Sequence, residues 1–195
     1  MIATAFRFDA RSHEYLSPDT GEVYPHITGM LKAAGLVDDR WYTDASRERG
    51  SGVHKLTADY DRGFIPREEV PQVDSPYKGW LQAHVAACDI VQPSWSSVEV
   101  ALLHPEFRYG GRPDRAGLVY GARAVVEIKS GDPEPAHAIQ LALQAMLLAS
   151  VERLPAESIQ RYAMYLKGNG RFKFHHFPNH RDFAEARRII RTCCG

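Results

Sequence analysis

Charged and amide side chains of the types needed for metal chemistry follow one another in the middle of the chain. Asp114 opens a predicted strand, and Glu127 and Lys129 lie in the next one. Two glutamines, Gln140 and Gln144, follow on a predicted helix. Two carboxylates that converge on one point repel each other unless a cation lies between them, and hard oxygen ligands select Mg²⁺ or Mn²⁺ rather than Zn²⁺. This order of residues therefore predicts a divalent-metal site of the kind that usually cleaves phosphodiesters.

Strand geometry explains how Glu127 and Lys129 can act together. Residues two apart in a strand point to the same face, whereas Val126 and Ile128 point to the other face, into the core. Burying unpaired charges would be costly, and a metal held by Glu127 beside Lys129 removes that cost. We predict that Lys129 orients and helps to deprotonate the water that attacks the scissile phosphate. The alternative is a surface ion pair on a solvated strand face.

The two glutamines also share a face, because residues four apart in a helix are neighbours on its surface. Helix packing could return that face to the metal site, where Gln140 would contact a phosphate or the attacking water. The alternative interpretation is that Gln140 and Gln144 are solvated.

These motifs resemble those of the PD-(D/E)xK nuclease superfamily. Pro113-Asp114 and Glu127-Ile128-Lys129 match the motif that gives the superfamily its name. Gln140 resembles the RecB-type branch, which includes phage lambda-type exonucleases and related phage proteins. That branch typically has Gln-x-x-x-Tyr, and here the last position is Gln144 instead. The branch also carries a histidine in an early helix after an Arg-Gly-small run, which Arg49-Gly50-Ser51-Gly52-Val53-His54 matches.

The resemblance implies a fuller set of metal ligands. It implies that two groups bind the metal beside the two carboxylates, namely His54 and the backbone carbonyl of Ile128. Glu99, in the predicted strand before Asp114, is a further candidate ligand, with a solvated strand face as the alternative. A neutral imidazole binds divalent metals readily, and a helical histidine in contact with solvent or core is the alternative for His54.

Basic and aromatic residues predict a nucleic-acid surface around this site. The residues that we expect to contact nucleic acid are Arg49, Lys55, Arg112 and Gln144. Further cations in the N-terminal part and in the last predicted helix could flank a groove: Lys32, Arg40, Arg47, Arg187, Arg188 and Arg191. Trp41 and Tyr42 lie among the first group and could stack on bases. A solvated helix face is the alternative for the helical cations.

Composition limits the remaining classes of protein. The 195-residue chain has no net charge, which counts against a protein that coats nucleic acid but not against a nuclease with local basic patches. Its three cysteines cannot all pair and are one short of a four-thiolate iron–sulfur cluster, so we predict a reduced, cytoplasmic protein without such a cluster. No apolar run approaches the roughly 18 residues of a membrane span, and the first residues lack a signal-peptide pattern.

Periodic patterns along the chain predict an α/β (α+β) fold with a mixed sheet of about five strands and helices on its faces. The resemblance implies that this core is restriction-endonuclease-like. We expect a single nuclease domain over 1–195, with a mostly helical N-terminal lobe (1–95) that carries His54 and a catalytic core (96–195). The predicted strands are 97–104, 111–119, 124–129, 158–167 and 171–177, after an N-terminal hairpin over 6–24. The predicted helices are 28–34, with Thr28 as its N-cap, 44–62, 77–89, 135–151 and 182–192.

Together these features predict a metal-dependent DNA nuclease, most simply an exonuclease in recombination, repair or phage replication. Two alternatives stay open: a nucleic-acid-binding or assembly protein that keeps the fold without the chemistry, and a nuclease that acts on RNA. The predicted partners are double- or single-stranded DNA and a recombination or annealing protein, with no membrane. Homo-oligomerisation is left open.

Overall fold

The computed structural model describes residues 5–38, 40 and 43–194. Trp41 and Tyr42, with the base-stacking role predicted for them, lie outside the described residues. In chain order, the described strands are β1 (Arg7–Asp9), β2 (Glu14–Leu16), β3 (Val23–Tyr24), β4 (Ser94–Val98), β5 (Leu102–Leu103), β6 (Gly110–Gly111), β7 (Arg115–Val119), β8 (Ala122–Lys129), β9 (Gln160–Leu166) and β10 (Phe172–His176). The α-helices are α1 (Ile27–Ala33), α2 (Asp44–Asp61), α3 (Lys78–Val91), α4 (Ala136–Glu152) and α5 (Arg181–Cys194), and short 3₁₀ helices lie at Arg67–Gln72 and Ala156–Ser158. None of the helices described is long and apolar enough to cross a membrane.

A mixed five-stranded sheet forms the centre of the molecule, with the strand order β10-β9-β8-β7-β4. The central strand β8 pairs in parallel with β9, and the other neighbouring strands of this sheet run antiparallel. A parallel pair needs a crossover connection, which α4 provides between β8 and β9. The predicted mixed sheet of about five strands with flanking helices is therefore confirmed.

Apolar cores cover both faces of this sheet. On one face, Val125 of β8 packs with residues of α1, α4 and α5. On the other face, Val126 and Ile128 pack with residues of α2 and α3. Side chains alternate between the faces along a strand, so Glu127 points to the α4 face, where it contacts that helix. The strand period thus decides on which face a polar site can form.

A small antiparallel sheet, β1-β2-β3, replaces the predicted N-terminal hairpin. Residues 10–13 form a turn inside the predicted first strand, so that stretch makes two short strands instead of one. Helix α1 also begins earlier than predicted, because His26 rather than Thr28 is its N-cap. The Nδ1 atom of His26 accepts a hydrogen bond from the Gly29 N–H at 3.4 Å.

Gly110 and Gly111 allow the N-terminal sheet to approach the core closely. They form β6 and pair with β5, and each of the predicted strands over 97–104 and 111–119 is broken into two in the structure. A Cβ atom on Gly110 would lie 2.2 Å from the ring of Tyr15, and one on Gly111 would lie 2.4 Å from Ile27. Because neither position has a side chain, β2 and α1 can pack directly against β6, which precedes the site in the chain.

Helix α2 carries His54 to the site. Thr43 caps it, since the Thr43 hydroxyl accepts a hydrogen bond from the Ser46 N–H at 3.1 Å. A Cβ atom on Gly52 would lie 2.1 Å from the ring of Tyr77, which precedes α3. This glycine lets the start of α3 pack closely against α2, which holds the helix in place over the sheet.

Candidate metal centre

Two buried carboxylates meet between β7 and β8. Arg115 pairs with Val126 across these strands, which places Asp114 across from Glu127. The side chains of Asp114 and Glu127 are 8% and 6% exposed. Asp114 Oδ2 accepts a hydrogen bond of 2.7 Å from the Ile128 N–H, which holds this carboxylate against β8. The structure thus brings together the two acids that the sequence singled out.

His54 and Glu99 add a nitrogen and a third carboxylate at the same point. His54 Nδ1 lies 3.2 Å from Asp114 Oδ1 and 3.4 Å from Glu99 Oε1. Glu99 does not lie in a strand as predicted: it follows the end of β4 and has a left-handed backbone with φ of 54°. Such a conformation costs about 1–3 kcal/mol in a residue other than glycine and persists where the surroundings hold it. Here the Glu99 N–H donates to the Asp114 carbonyl at 2.9 Å.

A hydrogen-bond network orders Glu127 and Lys129. Lys129 Nζ donates to Glu127 Oε1 at 3.1 Å and to Gln140 Oε1 at 2.9 Å. Gln140 Nε2 donates to the same Glu127 oxygen at 2.5 Å, and Gln144 Nε2 donates to Oε2 at 2.7 Å. The shared glutamine face of α4 therefore returns to the site. Gln144, predicted to contact nucleic acid, is 3% exposed and directs its amide group at Glu127.

The acids and His54 shift one another's pKa values. Burial raises the pKa of Glu127, and the neighbouring Asp114 carboxylate raises it further. Burial would also raise the pKa of Asp114, but the positive charges of His54 and Lys129 outweigh burial and hold this pKa below its usual value. Burial would lower the pKa of His54, but the adjacent acids, Asp114 first, outweigh it and raise this pKa to about 10. Without another cation, the site draws a proton onto His54 to offset its carboxylates.

Two buried oxygen atoms at the site, Glu99 Oε1 and Gln144 Oε1, lack a hydrogen-bond partner among the described residues. An unpaired buried acceptor is costly, and a cation would satisfy it. Carboxylate and amide oxygens with one imidazole nitrogen suit Mg²⁺ or Mn²⁺. The residues present therefore fit a divalent cation. Ile128 is held here by its own N–H, and its carbonyl stays a predicted ligand.

Three cavities meet at His54. One of about 200 Å³ is lined by Asp114 and Glu127 and, on its N-terminal side, by Phe8 and Tyr15. A second, of about 280 Å³, passes Lys129 at the end of β8. A third, of about 740 Å³, follows α2. Because His54 lines all three cavities, a ligand could approach the candidate centre from more than one direction.

The basic residues predicted to contact nucleic acid lie at the rim of these cavities. Arg49 lines the 280 Å³ cavity, and Lys55 and Arg112 line the 740 Å³ cavity. Arg112 Nη2 lies 3.0 Å from Glu99 Oε2, and Lys55 Nζ donates to Asp59 at 2.7 Å. Lys55 and Arg112 therefore stand beside the site but are already paired with acids.

The arginines of α5 lie elsewhere. Arg187 pairs with Glu157 at 2.5 Å and Arg188 pairs with Glu185 at 2.6 Å. No residue of α5 lines the three cavities that meet at His54. The nucleic-acid groove that includes this helix stays a prediction, whereas Arg47 of α2 lines two of the cavities.

Sequence reasoning missed the N-terminal wall of the site. Phe8, His13, Tyr15 and His26 line the 200 Å³ cavity beside the carboxylates. They lie on short strands and turns, and a β-bridge between His26 and Gly110 helps to join this region to β6. Their position depends on that docking, so no local motif marks them as site residues.

A second group of potential metal ligands lies behind the first. Asp61, His84 and Cys88 each place one ligand atom within 4.8 Å of the others. His84 Nε2 lies 3.0 and 2.9 Å from the two Asp61 oxygens, and Arg115 Nε donates to Asp61 Oδ2 at 2.5 Å. His84 and Arg115 are fully buried, so we call this group the sealed cluster. The open cluster consists of His54, Glu99, Asp114 and Glu127.

Comparison with known proteins finds similar chain paths but little sequence in common. A proposed exonuclease from Eubacterium rectale is 11% identical, with a TM-score of 0.49 over 87% of this chain and 77% of that one. LHK-Exo in complex with dAMP is 12% identical, with a TM-score of 0.42 over 87% of this chain and 85% of that one. No family model matches the chain. No curated protein matches it. The case for its chemistry therefore rests on its own residues.

Proposed function

We propose that this chain is a Mg²⁺- or Mn²⁺-dependent nuclease that hydrolyses phosphodiester bonds in DNA, as an exonuclease in recombination, repair or phage replication. The observation that carries the proposal is the convergence of Asp114, Glu127 and His54 beside Lys129. A solvated surface ion pair, the alternative for Glu127 and Lys129, does not fit a glutamate that is 6% exposed and accepts three hydrogen bonds.

Four side chains would hold the cation: Asp114, Glu127, His54 and Glu99. The carbonyl of Ile128 is proposed as a further ligand. Once bound, such a cation polarises phosphate oxygens and promotes ionisation of water at neutral pH. Glu99 Oε1 supports this assignment, because it is buried and makes no hydrogen bond among the described residues, and its neighbour His54 Nδ1 is 3.4 Å away.

Lys129 supplies a fixed positive charge next to the carboxylates. Glu127 and Gln140 hold its ammonium group at the wall of the 280 Å³ cavity, where the side chain is 20% exposed. A phosphate that enters this cavity meets an ammonium group already in place. Negative charge that develops during hydrolysis is then stabilised without rearrangement, and a water beside Lys129 is oriented towards the phosphorus atom.

The two glutamines of α4 position Glu127. Gln140 binds one oxygen of this carboxylate and Gln144 binds the other, and together these hydrogen bonds favour one orientation of its plane. Gln140 also accepts from Lys129 and thereby fixes the distance between acid and ammonium group. We assign Gln140 to support of Lys129 and the phosphate, and Gln144 to positioning of Glu127.

The cavity walls suit a polyanion. Arg47, Arg49, Lys55 and Arg112 line them, and phosphates would compete with the acid partners of Arg47, Lys55 and Arg112. A chain with no net charge holds DNA weakly by itself, which favours a recombination or annealing partner that adds affinity, or a homo-oligomer. The three cysteines are free thiols, which favours a reducing, cytoplasmic setting.

Cleavage of labelled single- and double-stranded DNA, and of RNA of the same sequence, tests the proposal. Wild type should degrade DNA from its ends in Mg²⁺ or Mn²⁺ and be inactive in EDTA. Lys129→Ala should cleave about 10²–10⁴-fold more slowly. The matched control is Lys173→Ala, an exposed lysine on the edge strand β10, which should cleave like wild type.

Equal cleavage by wild type and Lys129→Ala would contradict the catalytic assignment. If wild type binds DNA in Mg²⁺ without cleaving it, the chain is a DNA-binding protein. If it cleaves RNA alone, the substrate is RNA and not DNA.

A further inference from the structure

A buried arginine lies directly behind the open cluster. Arg115 follows Asp114 in the chain, and its side chain is 0% exposed. Its Nε atom donates to Asp61, which is 3% exposed at the end of α2. An arginine is rarely buried unless its charge is paired and its N–H groups are bound, so these contacts explain how it is tolerated.

The other two guanidinium nitrogens of Arg115 connect, directly or through one hydroxyl group, to the backbone carbonyls of two proposed metal ligands. Its Nη1 donates to the Asp114 carbonyl at 2.7 Å. Its Nη2 donates to the Thr57 hydroxyl at 3.1 Å, and that hydroxyl donates to the His54 carbonyl at 3.1 Å. The Asp114 carbonyl also accepts from the Glu99 N–H at 2.9 Å. One guanidinium group therefore connects the strand that carries Asp114 to the helix that carries His54.

The shape of the guanidinium group makes this connection rigid. It is planar, and its N–H groups point in fixed directions, unlike the single rotatable ammonium group of lysine. A metal site needs its ligands held within about 0.5 Å of the productive geometry by groups behind them. His54 of α2 and Asp114, which directly precedes β7, come from distant parts of the chain, so their spacing depends on contacts between α2 and the start of β7.

We propose that Arg115, held by Asp61, is a positioning residue that sets the spacing of His54 and Asp114 and thereby the affinity of the open cluster for its cation. The proposal rests on the proposed function only in taking the ligand to be a divalent cation. It requires no cleavage of DNA. The sealed cluster is, on this account, the rigid support of the open one.

A second buried arginine serves as a control that distinguishes an effect on ligand positions from an effect on the stability of the fold. Arg161 is 2% exposed and pairs with Asp182 at 2.9 Å. It also donates to two carbonyls, those of Ala138 at 3.2 Å and Asn179 at 2.8 Å. Its contacts are of the same kind as those of Arg115, but none of them leads to a proposed metal ligand.

The test compares Mn²⁺ binding by wild type with that of Asp61→Leu/Arg115→Met and of Asp182→Leu/Arg161→Met. Each double variant removes both charges, so neither leaves an unpaired ion in the interior. Affinity and the Mn²⁺ electron paramagnetic resonance spectrum are measured with the urea unfolding curve of each protein. We expect the first variant to bind Mn²⁺ about 10–100-fold more weakly, the usual effect of losing support behind a ligand. The second should bind like wild type.

Arg115→Lys keeps the protein testable if the first double variant does not fold. Lysine retains the charge for Asp61 but cannot bridge both backbones, so we expect about 10-fold weaker Mn²⁺ binding. Wild-type affinity in Arg115→Lys, or equal affinities in all folded variants, would overturn the positioning role. Wild type that binds Mn²⁺ but cleaves no DNA would overturn the proposed function alone, and wild type that binds no Mn²⁺ would overturn both.

Discussion

Helix α2 contributes one residue to each of two clusters that contain a histidine and a carboxylate. In the open cluster His54 contacts Asp114 and Glu99, and in the sealed cluster Asp61 contacts His84. One ligand atom each of His54, Glu99 and Asp114 lie within 4.8 Å of one another, and the same limit holds for Asp61, His84 and Cys88. By residue type and distance alone, both would be candidate metal sites.

The two clusters differ in charge balance and in access. Both oxygens of Asp61 contact His84, and the buried guanidinium group of Arg115 balances its charge. The open cluster contains three carboxylates, Glu99 Oε1 makes no hydrogen bond to any residue that the structure describes, and three cavities reach His54. Unsatisfied negative charge next to a cavity, rather than residue type, is what distinguishes the proposed cation site from the sealed cluster.

The largest expected effect is on catalysis, and it should separate the clusters sharply. We expect Asp114→Asn to cleave DNA about 10³-fold more slowly, because a bound cation contributes several kcal/mol to stabilisation of the transition state. Cys88→Ala, in the sealed cluster, should cleave within about twofold of wild type, which corresponds to less than ~0.5 kcal/mol. Rates are measured on end-labelled DNA in Mg²⁺. Similar losses of cleavage rate in both variants would contradict the distinction between an open catalytic cluster and a sealed structural one.

The next effect is on stability, and here the variant of the sealed cluster should lose more than the variant of the open cluster. Asp61→Asn leaves the buried Arg115 without its ion-pair partner, and we expect the free energy of unfolding to fall by about 3–5 kcal/mol. Glu99→Gln should lose clearly less, since Arg112 beside it is 32% exposed and reaches water. Urea unfolding in EDTA measures both variants. A larger decrease in the free energy of unfolding for Glu99→Gln would mean that the open cluster stabilises the fold more than the sealed cluster does.

Added cation should then stabilise only through the open cluster. We expect Mn²⁺ at about 100 times its dissociation constant to raise the free energy of unfolding of wild type by ~2.7 kcal/mol. Glu127→Gln should lose this stabilisation, whereas Cys88→Ala should keep it. Thermal unfolding with and without Mn²⁺ is the measurement. Loss of the shift in Cys88→Ala would place a cation in the sealed cluster.

The last effect concerns pH. His54 has a pKa of about 10 in the metal-free fold and an ordinary value of 6.5. Its protonated form therefore stabilises the fold fully below pH 6.5, and this contribution is lost as the pH rises through about 10. We expect metal-free wild type to lose stability across this range and His54→Gln to lose less. His180→Gln, at an exposed position, is the control, and a slope unchanged by His54→Gln would contradict the prediction.

Local periodicity accounts for the part of the site that the sequence could predict. The strand period places Glu127 and Lys129 on one face, and the helix period places Gln140 and Gln144 on another, and the structure brings these faces together. The mixed sheet followed from the same patterns. In each case the decisive contact joins neighbouring elements of the chain.

Contacts between distant elements account for what the sequence could not predict. The left-handed backbone of Glu99 breaks a pattern that reads as one strand, and the Asp114 carbonyl helps to hold it there. The wall formed by Phe8 and Tyr15 depends on how the first sheet docks on Gly110. The sequence of β7 does not show that Arg115 is buried, because its partner Asp61 comes from α2. None of these arrangements has a local sequence signal.

The hydrogen bond from the Ile128 N–H to Asp114 Oδ2 makes one amide proton a reporter of the whole site. Ile128 is fully buried, so solvent does not blur its resonance. A cation that draws electron density from Asp114 weakens this hydrogen bond, and the amide resonance should move upfield during a Mg²⁺ titration followed by NMR. Occupancy of the site, and any change in it caused by a remote substitution, can thus be read from a single peak without a substrate.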